Sequence, residues 1–391
     1  MTLISCTAIS ILSTDLYTPS MPHLPAALAT TDSMVQLTLS FNFFAYAIAQ
    51  LFHGPIADRF GARRLLLIGM SGVCCASLLC AMTNSINGLL AGRFIQGIFS
   101  SVPGVVVVIL IRQSYKDTAA VKILGIHGMA TGLAPTLGPM LGGYLFVLAG
   151  WRSSFWTIAA FSVLLVMMIS TLLPVKNSAI STKSELKSPL RTYAALCSSP
   201  EFMRYTISLA AVFGALFAFV TAGPFIFLQR FNVPTESYGL YYGSVIAAFI
   251  FGNLITTSLV GRFNAKKLAS TGVIVAVFGS LLLILLMSYF GEKKLVVMAG
   301  LACFASGLGV LMASGYTCLM DAAEESQAGI ASAIAGSTQL LAAGISSGLV
   351  SYFNDGTAWP MGIVIVGFCV FAALIQFGLR GAITTKVSST P

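Results

Sequence analysis

The sequence predicts an all-α integral membrane protein of twelve transmembrane helices arranged as two six-helix, pseudo-symmetric halves. Three observations predict it. The chain of 391 residues is 57% hydrophobic and only 8% charged, with a mean hydropathy of +0.91, which no wetted globular surface can supply. Long apolar runs alternate with short turns along almost its whole length. A short basic loop occurs twice: Asp58-Arg59-Phe60-Gly61-Ala62-Arg63-Arg64-Leu65 aligns with Gly261-Arg262-Phe263-Asn264-Ala265-Lys266-Lys267-Leu268, each after an apolar run.

A helix needs about 20 apolar residues to cross about 30 Å of hydrocarbon. Runs of that kind fall near 3–24, 34–56, 64–83, 87–111, 123–147 and 154–173, then near 203–228, 237–260, 268–290, 295–319, 327–351 and 359–379. The first begins at Met1 without a basic leader and ends among Pro19, Pro22 and Pro25 with no small-residue cleavage pattern, so a retained span is expected rather than a signal peptide. The 37 glycines favour helices that approach closely in lipid over a barrel. Residues 174–200, rich in Ser, Lys and Pro, read as a linker with room for a short surface helix. The expected organisation is a first half over 1–173, the linker over 174–200 and a second half over 201–391.

Most of the 21 Lys and Arg fall in or beside the even-to-odd loops, the linker and the C-terminal tail. Arg152, Arg230, Lys293 and Lys294 fall on the other side. Positive charge marks the cytoplasmic side of short loops, so both termini are expected to be cytoplasmic in a multi-pass protein. The same bias accounts for the net charge of +9 and leaves no nucleic-acid partner to infer. The eight cysteines are scattered without metal or disulfide spacing. No metal cluster, Ser/His pair or phosphate loop suggests an enzyme or a cofactor, and with no nucleotide motif the energy is expected from an ion gradient.

Charges inside spans are costly and usually functional. Asp15 in the first span and Arg93 in the fourth are the two clear ones. Counted from the outer helix ends at ~1.5 Å per residue, both lie roughly 10–14 Å deep. Burial disfavours a charged carboxylate and a guanidinium favours it, so movement of Arg93 relative to Asp15 can switch proton affinity; a static buried pair is the alternative. His127 in the fifth span is another candidate carrier, and His53 beside the loop a weaker one. Tyr17, Asn42, Tyr46, Gln96, Phe217, Gln229, Asn253 and Gln339 are polar or aromatic groups within or beside spans and are candidates to line a central cavity, apolar and aromatic in character, suited to lipophilic neutral or cationic compounds.

The repeat continues in the fifth and eleventh spans, where Gly132-Leu133-Ala134-Pro135-Thr136-Leu137-Gly138-Pro139-Met140-Leu141-Gly142-Gly143 aligns with Gly336 to Ser347. Pro135 and Pro139 remove backbone donors while Gly138, Gly142 and Gly143 permit close approach, so a tight, bent seam between the halves is expected.

Gly54 to Arg64 resembles the loop signature of the major facilitator superfamily, and Arg93-Phe94-Ile95-Gln96-Gly97 resembles the fourth-helix motif of its proton-coupled members. Gly132 to Gly143 resembles its fifth-helix antiporter signature. With Ser13-Thr14-Asp15-Leu16-Tyr17-Thr18-Pro19-Ser20-Met21-Pro22, the pattern is similar to the bicyclomycin and chloramphenicol resistance (Bcr/CflA) group of drug:proton antiporters. The resemblance implies the major facilitator fold, with halves related by a pseudo-two-fold axis, a midplane substrate and alternating access. It implies a monomer without cofactor whose partners are a small-molecule substrate, protons and the bilayer. It implies proton coupling at Asp15 and Arg93, a gating loop at Gly54, Asp58, Arg59, Gly61 and Arg63, and an antiporter motif at Gly132, Pro135, Gly138, Pro139 and Gly142. Two departures, Gly261 in place of the loop acid and Ala342-Ala343 in place of Gly-Pro, predict a weaker latch in the second half. The cargo is open between drugs and an endogenous metabolite such as a siderophore, peptide or amino acid, and a nutrient:proton symporter is a further alternative.

Overall fold

A computed structural model describes residues 1–115, 117–173, 189–259, 261–324 and 327–387, leaving out the side chains of 58, 117, 118, 120, 121, 189, 190 and 379–387. The described residues are helical, in the order α1 (Thr2–Asp15), α2 (Leu24–Ala27), α3 (Asp32–Phe60), α4 (Ala62–Met82), α5 (Ile86–Ser114), α6 (Asp117–Ala149), α7 (Arg152–Leu172), α8 (Pro189–Cys197), α9 (Pro200–Phe225), α10 (Tyr238–Leu259), α11 (Ala265–Phe290), α12 (Lys294–Asp321), α13 (Ala328–Tyr352) and α14 (Trp359–Val387). Among them, eleven are long and apolar enough to cross a membrane. The twelfth expected span, 3–24, is not one continuous helix. α1 stops after 14 residues at Asp15, and Thr18–His23 continues as a 3₁₀ turn, because Pro19 and Pro22 have no N–H to extend an α-ladder. Thr18 Oγ1 donates to the freed Asp15 carbonyl at 2.8 Å.

Helix starts follow local chemistry. Thr31, Ser85, Ser199 and Asn264 accept backbone N–H groups at the starts of α3, α5, α9 and α11. Gly61, at φ +88°, turns the chain from α3 directly into α4. The linker, expected to carry a short surface helix, contains α8; its residues 174–188 lie outside the described set.

The chain forms two compact units. One comprises Met1–Ser184 with Phe227–Tyr242, the other Glu185–Ile226 with Gly243–Pro391. The core of the first is built from α4, α5 and α7, with Leu66, Met70, Val73, Val106, Val107, Ile111, Ile158 and Ile169 in one cluster. Two arginines clasp α4 to α7 at opposite ends. Arg63, at the start of α4, donates to the Ile169, Ser170 and Leu173 carbonyls at the end of α7 (3.3, 2.8 and 2.9 Å). Arg152, at the start of α7, donates to the Ala81 and Thr83 carbonyls at the end of α4 (both 3.0 Å) and to Asn84 (2.7 Å). Each satisfies orphan carbonyls and places a cation at the negative end of a helix dipole. In the second unit α9 packs between α13 and α14, and α11 against α12. Gly279 and Gly307 lie against the backbone of the facing helix, so a side chain at either would force α11 and α12 apart.

Candidate functional site

The site is assembled on α1, α3, α5 and α6 of the first unit. α1 carries small hydroxyl residues on the face toward α5: Ser10 Oγ donates to the Ser100 carbonyl at 2.5 Å, and the Ser13 and Ser100 hydroxyls lie 3.2 Å apart. This polar seam brings Arg93, wholly buried on α5, against the end of α1. Arg93 Nη1 donates to the Ser13 carbonyl at 2.8 Å and to Gln96 Oε1. Its guanidinium carbon lies 5.0 Å from the Tyr17 ring centroid, a cation–π contact strengthened by desolvation.

The neighbours are themselves held. Tyr17 Oη lies 2.8 Å from Thr38 Oγ1, Asn42 Nδ2 donates to the Arg93 carbonyl at 2.8 Å while its Oδ1 accepts from Thr14 Oγ1 at 3.3 Å, and Gln96 Nε2 donates to Ser77 at 2.8 Å. Arg93 Nε and Nη2 have no partner. Asp15 is 5% exposed and in electrostatic contact with Arg93, but the guanidinium bonds the Ser13 carbonyl, two residues before it. A buried cation with unused donors beside a buried carboxylate is a strained electrostatic arrangement. It has two discrete resolutions, pairing or protonation.

α6 makes room for this. Gly138 faces Asp15 so closely that a Cβ added there would come within 2.6 Å of Asp15 Cβ, and Gly142 lies against the Leu16 carbonyl. Gly138 and Gly142 serve the α1–α6 contact within the first unit, where only glycine lets α6 pass the broken end of α1. Pro139 is buried with them, whereas Pro135 is half-buried and Gly132 is exposed with open space around it.

The structure thus brings together Asp15, Tyr17, Asn42, Arg93 and Gln96 with Gly138 and Gly142. Of the loop residues, Gly61 forms the turn and Arg63 clasps α7. Arg59 is exposed over the Phe60 ring at 5.5 Å, Gly54 has nothing within 4 Å of a Cβ, and Asp58 lies on α3 with its side chain outside the described set. Tyr46 is half-buried, its hydroxyl next to Gly104. Gln229 is exposed and donates to the Pro22 carbonyl at 3.2 Å. In the second unit Phe217 packs on Phe213 at 5.0 Å, Asn253 is half-buried on α10 and Gln339 donates to Tyr316 at 3.2 Å. His127 meets Thr7 at 3.1 Å and His53 meets Ser101 at 3.1 Å, both away from the cluster. Among the described residues no group of three His, Cys, Asp or Glu could hold a metal.

Sequence reasoning missed Ser10, Thr38, Ser77 and Ser100 and took Ser13 only as the first residue of a motif; their hydroxyls and carbonyls seat the arginine and its neighbours. The three-residue spacing of Ser10 and Ser13 on one helical face was the available signal.

Among the described residues, apolar helices that bury a carboxylate beside a guanidinium are the architecture of a membrane transporter. The chain matches the Major Facilitator Superfamily over residues 3–347, and it belongs to that superfamily. It is 30% identical to an uncharacterized MFS-type transporter of Bacillus subtilis, YdgK, over 94% of this chain and 92% of the relative. It is 26% identical to the bicyclomycin resistance protein homolog of Haemophilus influenzae over 93% and 91%. Among solved structures, a bacterial homolog to the human lysosomal transporter Spinster shares the fold at a TM-score of 0.78 and 14% identity, covering 97% of this chain and 95% of that one.

Proposed function

We propose that this transporter exports lipophilic small molecules in exchange for protons by alternating access, and that Asp15 carries the proton. It acts as a monomer in the bacterial inner membrane with both termini cytoplasmic. The basic residues of the even-to-odd loops support that orientation, and the resistance named in the Haemophilus relative supports export.

The observation that carries the reading is the half-used Arg93. One of its nitrogens is anchored on the Ser13 carbonyl and on Gln96, while Nε and Nη2 have no partner. Because Ser13 and Asp15 share α1, a small rotation or shift of that helix carries the carboxylate toward the two unused donors. Ionised Asp15 is held there by charge-assisted hydrogen bonds; protonated Asp15 is not. Proton binding is thereby linked to the position of α1, which abuts α6 at Gly138 and Gly142.

The test is the full chain in liposomes with an imposed pH gradient, following lumenal pH while lipophilic drugs are added. Drug-triggered proton movement that falls to the empty-vesicle level in Asp15→Asn is expected. An equal response in the variant moves the proton site elsewhere, and no response in the native protein shifts the reading to metabolite export or uptake.

A further inference from the structure

Phe227–Tyr242 is joined at both ends to the second unit, through Ile226 and Gly243, yet groups with the first. This strap begins within a π-helical turn, Ile226–Arg230, a rare backbone form concentrated at functional sites. It continues through a 3₁₀ turn, Thr235–Ser237, into the first turn of α10. Its seat on the first unit is specific. Gln229 donates to the Pro22 carbonyl at 3.2 Å, and the His23 ring and Thr235 hydroxyl lie 3.2 Å apart. A Cβ on Gly143 would come within 2.7 Å of the Thr235 carbonyl oxygen, and one on Gly239 within 2.5 Å of Met140 Cα. Both helices need a bare backbone there for the strap to lie down.

The seated strap buries Tyr238 completely and Tyr242 to 3% exposure, their rings 6.2 Å apart and both in electrostatic contact with Asp15. The Tyr238 hydroxyl has no hydrogen-bond partner. A buried hydroxyl without a partner costs about 1–3 kcal/mol, so for packing alone phenylalanine would be the better residue. The buried Asp15 carboxylate is an acceptor in electrostatic contact with it.

We propose that Tyr238 is a positioning residue for Asp15: its hydroxyl donates to the Asp15 carboxylate when Asp15 is ionised, so that the strap is held on the first unit more firmly in that state than after protonation. The inference rests on the antiport reading and extends it, because the same carboxylate then reports its charge to α5 through Arg93 and to a segment tethered to the second unit through Tyr238. Among the described residues, the charged or titratable groups in electrostatic contact with Asp15 are Arg93 on α5 and Tyr238 and Tyr242 on the strap. α6 presents Gly138 there, α7 presents Ser154 to the adjoining Leu16 carbonyl, and Tyr17 on α1's own segment is turned to Thr38 and Arg93.

Backbone hydrogen exchange of residues 233–242, measured by mass spectrometry on the full chain in lipid nanodiscs in alkaline buffer, tests this as a double-mutant cycle. Tyr238→Phe keeps the ring and removes only the hydroxyl, and Asp15→Asn mimics the uncharged acid. Each single variant is expected to speed strap exchange about fivefold or more, the low end of ordinary coupling energies, and the double variant no further than either. Exchange in Tyr238→Phe equal to or slower than in the native protein, as a packing role alone would give, overturns the proposal, as do effects that multiply in the double variant. The proton-movement assay separates the two readings. If the cycle holds while Asp15→Asn still exchanges protons for drug, the coupling stands and the antiport assignment falls; if Asp15→Asn abolishes proton movement while the cycle shows independence, Tyr238 has no such role.

Discussion

The helix pair α1 and α6 in the first unit and the pair α9 and α13 in the second are corresponding elements of the repeat, and they exchange knob and hole. In the first pair the glycine is on the later helix: Gly138 of α6 receives Asp15 of α1. In the second it is on the earlier one, where a Cβ on Gly214 of α9 would come within 2.9 Å of the Ala342 backbone on α13, and Ala342 is the residue that the repeat aligns with Gly138. Both pairs achieve close approach, but only the first uses it to bury an acid. The repeat therefore conserves the contact and leaves open which helix carries the protrusion, and chemistry has been placed where the protrusion is charged.

The largest effect that separates the pairs is expected from Gly138→Ala. The added methyl collides with Asp15 Cβ, and overpacking of this kind costs about 1–3 kcal/mol. It should also displace the carboxylate from Arg93, so drug-dependent proton movement falls about 5- to 150-fold, as that cost predicts for the active arrangement. Retention of native transport would show that the Asp15 position is not critical. A sharper version lies in the second pair: Gly214→Ala should lower stability in detergent by about 1–3 kcal/mol, and adding Ala342→Gly should recover little of it, because the new methyl meets the Ala342 backbone, which that change leaves in place. Recovery of native stability in the double variant, measured by thermal unfolding, would refute the backbone contact.

The smallest effects belong to the repeated loop. Arg63 is half-buried and donates to three α7 carbonyls, while Lys266, its aligned counterpart, meets one carboxylate, Glu201, at 2.7 Å with 55% of its side chain exposed. A guanidinium fork can serve several carbonyls where an ammonium makes a point contact. Arg63→Ala should cost about 1–2 kcal/mol through the α7 terminus, and Lys266→Ala less than about 1 kcal/mol, as exposed pairs do. Equal shifts in thermal midpoint would erase the distinction.

The element order was legible because apolar length and Gly/Pro punctuation are local properties, and Asp15 and Arg93 were legible because charge in an apolar span stands out. The break in the first span was half legible: Pro19, Pro22 and Pro25 were plain, but a continuous apolar run from 3 to 24 hid the end of α1 at Asp15. The seat of Arg93 was not legible. A serine in an apolar helix usually bonds its own preceding turn, as Ser77 does to the Val73 carbonyl at 2.7 Å, and nothing local says that Ser77 also accepts from Gln96. Asn42 and Gln96 were read as cavity-lining groups, and the structure sets both against Arg93. Arg152 had been counted only as a loop charge, since its partners at the end of α4 lie about seventy residues earlier in the chain. Tyr238 was equally invisible, more than two hundred residues from Asp15.

The double clasp between α4 and α7 sets a schedule for biogenesis. The carbonyls that end α4 wait for Arg152, and the guanidinium of Arg63 waits for the carbonyls that end α7. At a synthesis rate of about 5–20 residues per second, the first helix of this pair spends several seconds in the membrane with its end unsealed. A nascent chain halted before Arg152 therefore leaves the end of α4 unsealed, and completion of α7 is the step that closes both ends.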